Sequence, residues 1–185
     1  MAILRHSSRR ASLATSFLDA RLRGAIAYDR IAGYFRSSIF EVAGEAFEAV
    51  QGPIRIVCNS GLDPADVTSA RATAQALRIE WCEAEPEKMT PAQRPRYERL
   101  ARLLRDKRVV VRVLPNESFG LIHGKAGVIR YQDGRALAFL GSMNETREGW
   151  TRHYELMWED DSLEAVRWVQ EEFDALWTHQ HARDL

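Results

Sequence analysis

The sequence predicts an α/β layered fold with a mixed β-sheet, and three observations predict it. Segments with apolar residues at helical spacing alternate with short apolar runs of strand length. Val109–Leu114 is a near-continuous apolar run, the pattern of a strand buried on both faces. Two further apolar runs flank Gln132-Asp133-Gly134-Arg135, and Asp-Gly in that setting marks an antiparallel hairpin.

The elements follow in order. Leu13, Phe17 and Leu18 at helical spacing make Leu13–Leu22 a helix. Ala25–Phe35 contains a strand that closes in the small–aromatic run Ala32-Gly33-Tyr34-Phe35. Ser37 or Ser38 caps the next helix, whose Ile39, Val42, Ala43, Ala46, Phe47 and Val50 share one face; Gly52-Pro53 ends it. Ile54–Cys58 is a short strand. Asp63-Pro64 opens another helix, with Asp in a capping position and Pro in the first turn. Ile79–Cys82 has strand character, Pro86, Pro91 and Pro95 break the chain, and a basic helix over Arg96–Lys107 leads into Val109–Leu114. Leu121–Tyr131 and Ala136–Leu140 form the hairpin, and His153–Trp158 is a further strand. From Asp160 or Ser162 to Trp177 runs an amphipathic helix carrying Leu163, Val166, Val169, Phe173 and Leu176. Trp150, Trp158, Trp168 and Trp177 read as core residues, and Cys58 and Cys82 as buried small hydrophobes.

Length and composition bound the function. At 185 residues, 45% apolar and 28% charged, the chain suits a single domain over 1–185 with a core of its own. Neither a disordered polar chain nor a membrane-spanning protein has this composition. The basic N-terminus lacks the apolar centre of a secretion signal, so a cytoplasmic location with no membrane partner is expected. Cys58 and Cys82 form no CxxC, which excludes a cysteine zinc site and a disulfide framework.

Formal net charge is zero, yet charge is segregated. Arg5, Arg9, Arg10, Arg21, Arg23 and Arg30 crowd the start, and Arg94–Arg112 is strongly basic; acid gathers in Glu80–Glu87 and Glu155–Asp174. Neutrality argues against coating nucleic acid by bulk electrostatics but permits a local basic groove. Arg96 and Arg99 on the basic helix are candidate phosphate contacts, and Tyr34 a candidate base-stacking contact. A solvated helix face and a core aromatic are the plainer alternatives.

One region concentrates reactive groups: Ile122-His123-Gly124-Lys125-Ala126, then Gly141-Ser142-Met143-Asn144-Glu145, then Tyr154-Glu155-Leu156. In an extended strand His123 and Lys125 share a face, and Ser142 and Asn144 repeat the spacing. The hairpin returns Leu140-Gly141 beside the His-Gly-Lys start. An imidazole can attack phosphorus covalently, while an ammonium and an amide hold non-bridging oxygens of a phosphate and its pentavalent transition state. Glu155 is placed to hold the second nitrogen of His123. His153, on the face of Glu155, is an outside candidate. No carboxylate cluster for Mg²⁺ accompanies the set, so no metal or other cofactor is expected.

His123-x-Lys125 followed by Gly141-Ser142-x-Asn144 resembles the signature of the phospholipase D superfamily, with Glu155 where that family often has a glutamate. Ala32-Gly33-Tyr34-Phe35 and Phe173-Asp174-Ala175-Leu176-Trp177 resemble flanking segments of single-motif nuclease domains in bacterial restriction and helicase proteins. The resemblance covers roughly Leu13 to Trp177. It implies a phospholipase D-like mixed β-sheet sandwiched between helices. It also implies metal-independent cleavage of a DNA (or RNA) phosphodiester through a phosphohistidine, with His123 as nucleophile and Lys125, Asn144, Ser142 and Glu155 assisting. Family members use two such motifs per site and this chain has one, so the resemblance implies a homodimer with a shared active site. A helicase or ATPase region in the same polypeptide and a role in restriction or antiphage defence belong to the same expectation. The family's Asp five residues after the Lys is replaced by Arg130, which strand parity places on the opposite face from Lys125; this counts against a lipid phosphodiesterase more than a nuclease. A non-catalytic nucleic-acid-binding or dimerisation module is the alternative from another functional class.

Overall fold

Apolar alternation in the strands and apolar stripes on the helices assemble three layers in the computed structural model, which describes residues 3–33, 35, 39–60, 102–103, 106–145 and 147–184. The described elements are strands β1 (Leu4–Ser7), β2 (Ala25–Ala32), β3 (Ile54–Ser60), β4 (Val109–Pro115), β5 (Lys125–Tyr131), β6 (Ala136–Gly141), β7 (Leu156–Asp160) and β8 (Arg183–Asp184). A π-helical stretch over Ala14–Asp19 runs into α1 (Ala20–Leu22), followed in the chain by α2 (Phe40–Ala49), α3 (Asn116–Phe119), α4 (Arg147–Thr151) and α5 (Leu163–Trp177). They form one mixed sheet in the order β1-β7-β6-β5-β2-β3-β4-β8. β2, β3 and β4 run parallel to one another, while β5 is antiparallel to both β2 and β6 and β8 is antiparallel to β4.

Side-chain alternation divides the core between the two faces. Tyr28, Ile54, Ile56, Ile129 and Phe139 point to the face covered by Phe17, Leu18, Phe47 and Trp150. Phe17 lies edge-on to Phe139, with ring centroids 5.0 Å apart. Ile31, Val57, Val128 and Ala138 point to the other face, covered by α5 through Val166, Val169 and Phe173. Ser162 Oγ accepts a hydrogen bond from the Ala165 N–H at 3.2 Å and so caps α5 as its sequence predicts.

Several expectations are corrected. The hairpin's first strand begins at Lys125 rather than Leu121: Leu121–Gly124 lies outside the ladder, and the Ile122 N–H donates to Asn59 Oδ1 instead. The strand expected over His153–Trp158 begins at Leu156 and continues to Asp160. β1 pairs antiparallel with β7 although its short polar sequence carries little strand signal. Trp150 is buried, but Trp158 and Trp168 are exposed: α5 packs over β5, β6, β2 and β3 and leaves β7 uncovered on that face. Arg30, grouped by sequence with a basic surface, is fully buried. The expected helix at Asp63-Pro64, the strand Ile79–Cys82, Ser37, Ser38, Tyr34, Arg96 and Arg99 lie outside the described residues, as does most of the basic helix. Among the described residues no helix is long and apolar enough to cross a membrane.

Candidate active site

Antiparallel pairing of β5 with β6 and of β6 with β7 brings three chain segments to one end of the sheet. Lys125 pairs with Gly141, and Gly141 with Met157, so the start of β5, the end of β6 and the start of β7 are adjacent. The same end carries the carboxyl termini of the parallel strands β2, β3 and β4, the edge at which open α/β sheets bind ligands.

His123 is exposed just before β5, and Lys125 is its half-buried first residue. Lys125 Nζ donates to the His123 carbonyl at 2.7 Å, which folds the lysine back over the turn carrying the imidazole. Gly33 explains how Lys125 and Asn144 approach each other. A Cβ at Gly33 would lie 2.9 Å from Asn144 Oδ1, 3.1 Å from the Ile122 carbonyl oxygen and 3.5 Å from Lys125 Cε. The amide, the ammonium stem and the backbone preceding His123 therefore converge on a space that only glycine leaves open.

Ser142 Oγ donates to the buried Glu155 carboxylate and accepts from the Leu156 N–H at 3.2 Å. The other Glu155 oxygen, Oε1, lies 3.7 Å from His153 Nδ1. Ser8 Oγ accepts from the Glu155 N–H at 2.9 Å and donates to the His153 carbonyl at 3.0 Å, pinning this segment to the chain beyond β1. Glu155 thus engages Ser142 and neighbours His153. His123, Lys125, Ser142, His153 and Glu155 line one groove of about 970 Å³, whose apolar wall is formed by Leu140, Leu156, Trp158 and Trp168. Arg130 does not line it: Arg130 donates to Gln170 Oε1 at 2.8 Å and lies 3.6 Å from Asp29. Among the described residues no three His, Cys, Asp or Glu side chains are grouped to hold a metal ion.

Burial, the largest cause, and the nearby Arg30 cation hold the Lys125 ammonium below its ordinary pKa, with Glu155 opposing them. Lys125 therefore gives up its proton at lower pH than a free lysine does.

Two buried polar residues behind the site lie beyond what periodicity and motif spacing reveal. Asn59 donates from Nδ2 to the Leu114 and Gly120 carbonyls, both at 3.1 Å, and accepts from the Ile122 N–H through Oδ1. It fixes the approach to His123. Arg30 pairs with Glu145, Nε to Oε1 at 2.6 Å, and both are fully buried. Glu145 also accepts from Tyr28 Oη at 2.6 Å and Trp150 Nε1 at 3.0 Å. The available signal was an Asn, and an Asp-Arg pair, inside otherwise apolar strands: such polar side chains need buried partners.

A family model described as "Cardiolipin synthase, PLD-like domain" matches residues 36–177. The chain belongs to the phospholipase D-like family. The fold agrees. Nuc, a phospholipase D family member from Salmonella typhimurium, superimposes with a TM-score of 0.58 at 14% identity over 100% of this chain and 97% of that one. NucT from Helicobacter pylori gives 0.56 at 12%, over 100% and 99%. A variant of yeast tyrosyl-DNA phosphodiesterase gives 0.52 at 15%, over 86% of this chain and 32% of that one. No curated protein sequence matches significantly. The phospholipase D-like mixed α/β architecture expected from the sequence is thus the observed one.

Proposed function

We propose that this protein is a metal-independent phosphodiesterase that cleaves nucleic acid, with DNA the first substrate to test. One observation carries the proposal: Lys125 and Asn144 converge over Gly33 beside an exposed imidazole, at the end of the sheet where a ligand has room. A ring nitrogen of His123 attacks phosphorus, and a P–N bond forms as the P–O bond to the leaving strand breaks. Lys125 and Asn144 hold the non-bridging oxygens, and the departing alkoxide takes a proton from a general acid. Water then attacks the phosphohistidine, the P–N bond breaks, the general acid recovers its proton from that water, and the imidazole is freed. Ser142 supports the site by holding the Glu155 carboxylate and the Leu156 N–H.

The phospholipase D-like architecture and the tyrosyl-DNA phosphodiesterase likeness support the phosphodiester substrate. In the leading arrangement the general acid is the His123 of a second copy, and the active form is a homodimer. The position of His153, 3.7 Å from Glu155 and in the same groove as His123, supports a second arrangement in which His153 is the acid within one chain. Arg96, Arg99 and Tyr34 are proposed as nucleic-acid contacts in either arrangement. Service in restriction or antiphage defence, beside a helicase or ATPase region, belongs to the same reading.

The test is hydrolysis of DNA and of bis(4-nitrophenyl) phosphate in excess EDTA. The proposal expects turnover that survives the chelator and falls at least 10³-fold in His123→Ala. Activity abolished by EDTA, or equal in His123→Ala, overturns it. His153→Ala separates the acids: loss comparable to His123→Ala selects the single-chain arrangement. Retained activity that rises with dimer concentration selects the homodimer.

A further inference from the structure

We infer that Arg30 is a positioning residue for the phosphate-binding pair, clamping the backbone beside Lys125 and beside Asn144 with a single guanidinium; this rests on the proposed phosphodiesterase reading. Arg30 stands near the end of β2, opposite Gly127 of β5, with no solvent exposure. Nη1 donates to the Ala126 carbonyl at 3.2 Å and Nη2 to the Met143 carbonyl at 2.5 Å. Ala126 follows Lys125 directly, and Met143 directly precedes Asn144. One rigid fork therefore sets the separation of the two residues that grip the phosphate.

A buried ion pair by itself is poor evidence of function, because apolar side chains can replace it without loss of stability. The distribution of these bonds is what an apolar replacement could not reproduce. Nε faces Glu145, the residue after Asn144, and Glu145 is held in turn by Tyr28 and Trp150. The Arg30 guanidinium also lies 5.1 Å from the Phe139 ring and 5.9 Å from the Trp150 ring, so its plane cannot swing freely. Planarity and five fixed donors suit Arg to this task; an ammonium is a compact point donor on a flexible stem. Near-attack geometry is sensitive to displacements of about 1 Å.

The guanidinium has a second effect on the site. The charged groups around Lys125 among the described residues are Arg30 from β2 and Glu155 from the segment before β7, with His123 on its own turn and Glu145 behind Arg30. Arg30 acts on Lys125 in the same direction as burial, lowering the pH at which the ammonium loses its proton. An enzyme that needs Lys125 charged thus loses activity at lower pH with Arg30 than without it.

The chain has only Lys88, Lys107 and Lys125, so NMR of ¹³Cε-labelled lysine can follow Lys125 directly, with Lys125→Arg assigning the peak. Two variants are compared with wild type after thermal melting and circular dichroism confirm folding. Arg30→Met with Glu145→Gln removes both buried charges. The inference expects its Lys125 titration midpoint to rise, the alkaline limb of kcat/KM to move the same way, and kcat to fall at least tenfold. Arg30→Lys keeps a charge but cannot span both carbonyls. It should titrate near wild type while losing at least tenfold in kcat, with a smaller change in KM. Folded variants with wild-type titration and wild-type kcat overturn the inference. If the double variant does not fold, Arg30→Lys decides by kcat. If wild type hydrolyses no phosphodiester, the functional proposal fails by itself, and the Lys125 titration still reports on Arg30.

Discussion

Asn59→Ala removes three hydrogen bonds at once from the turn that presents His123. Two of the abandoned groups are buried, the Leu114 carbonyl and the Ile122 N–H; Gly120 is exposed and its carbonyl can turn to water. At ~1–2 kcal/mol for each orphaned buried group, the loss is about 2–4 kcal/mol. For a chain of this size that lowers Tm by about 5–15 °C. Because Ile122 directly precedes His123, the turn loosens as well, and kcat falls by about 10²-fold. Asn59→Asp sharpens the test. It keeps an acceptor for Ile122 but points carboxylate oxygens at two carbonyls, so it destabilises more than alanine at neutral pH. Burial raises the folded pKa of such a carboxyl above its unfolded value near ~3.9. The folded state then binds more protons, stability falls as pH rises, and the deficit relative to wild type shrinks from pH 7 towards pH 4. Thermal melts at several pH values, with kinetics on the same samples, supply the readout. A Tm within about 2 °C of wild type for Asn59→Ala, or an aspartate deficit that grows at low pH, would refute this account of the turn.

Other perturbations reach the site and the core from different sides. Gly33→Ala should lower kcat at least tenfold and also lower Tm, because the added methyl displaces the end of the Asn144 side chain and crowds the Ile122 carbonyl; unchanged kinetics would show that Asn144 has room to spare. Trp150→Ala should cost about 3–5 kcal/mol in chemical denaturation, since it empties a fully buried site and strips Glu145 of a donor. Burial pushes the Cys58 thiol up to about 12, so at pH 8 a thiol reagent should label Cys58 only in denatured protein, as peptide mass mapping would reveal.

The legible parts of the fold were those where one face is buried. β2 to β7 and the long α5 announce themselves through apolar period and turn chemistry, and Asp133-Gly134 fixed the hairpin, with Gly134 at φ 85° as that turn requires. Strand beginnings were misread where polar or apolar residues continue the pattern into a turn held by other means. Leu121 and Ile122 look like strand, but the Ile122 N–H donates to Asn59 and not to the ladder. β1 was invisible because its pairing with β7 is a tertiary choice that its own four residues barely encode. The residues proposed to react stand out in the sequence because their spacing suits a strand pair; the buried polar residues behind them do not. Arg30 looks like any other arginine in an arginine-rich start, and only the topology shows that it lies between β5 and the loop after β6. Arg96, Arg99 and Tyr34 fall outside the described residues.

The central claim is that His123 forms a covalent bond to phosphorus. Its most direct test is rapid quenching of the enzyme under alkaline conditions during turnover of an activated phosphodiester in EDTA, followed by intact and peptide mass spectrometry. The account predicts a transient adduct of the transferred phosphoryl group on His123, lost on acid treatment and absent in His123→Ala. Turnover with no adduct at any time, or an adduct on another residue, would contradict it.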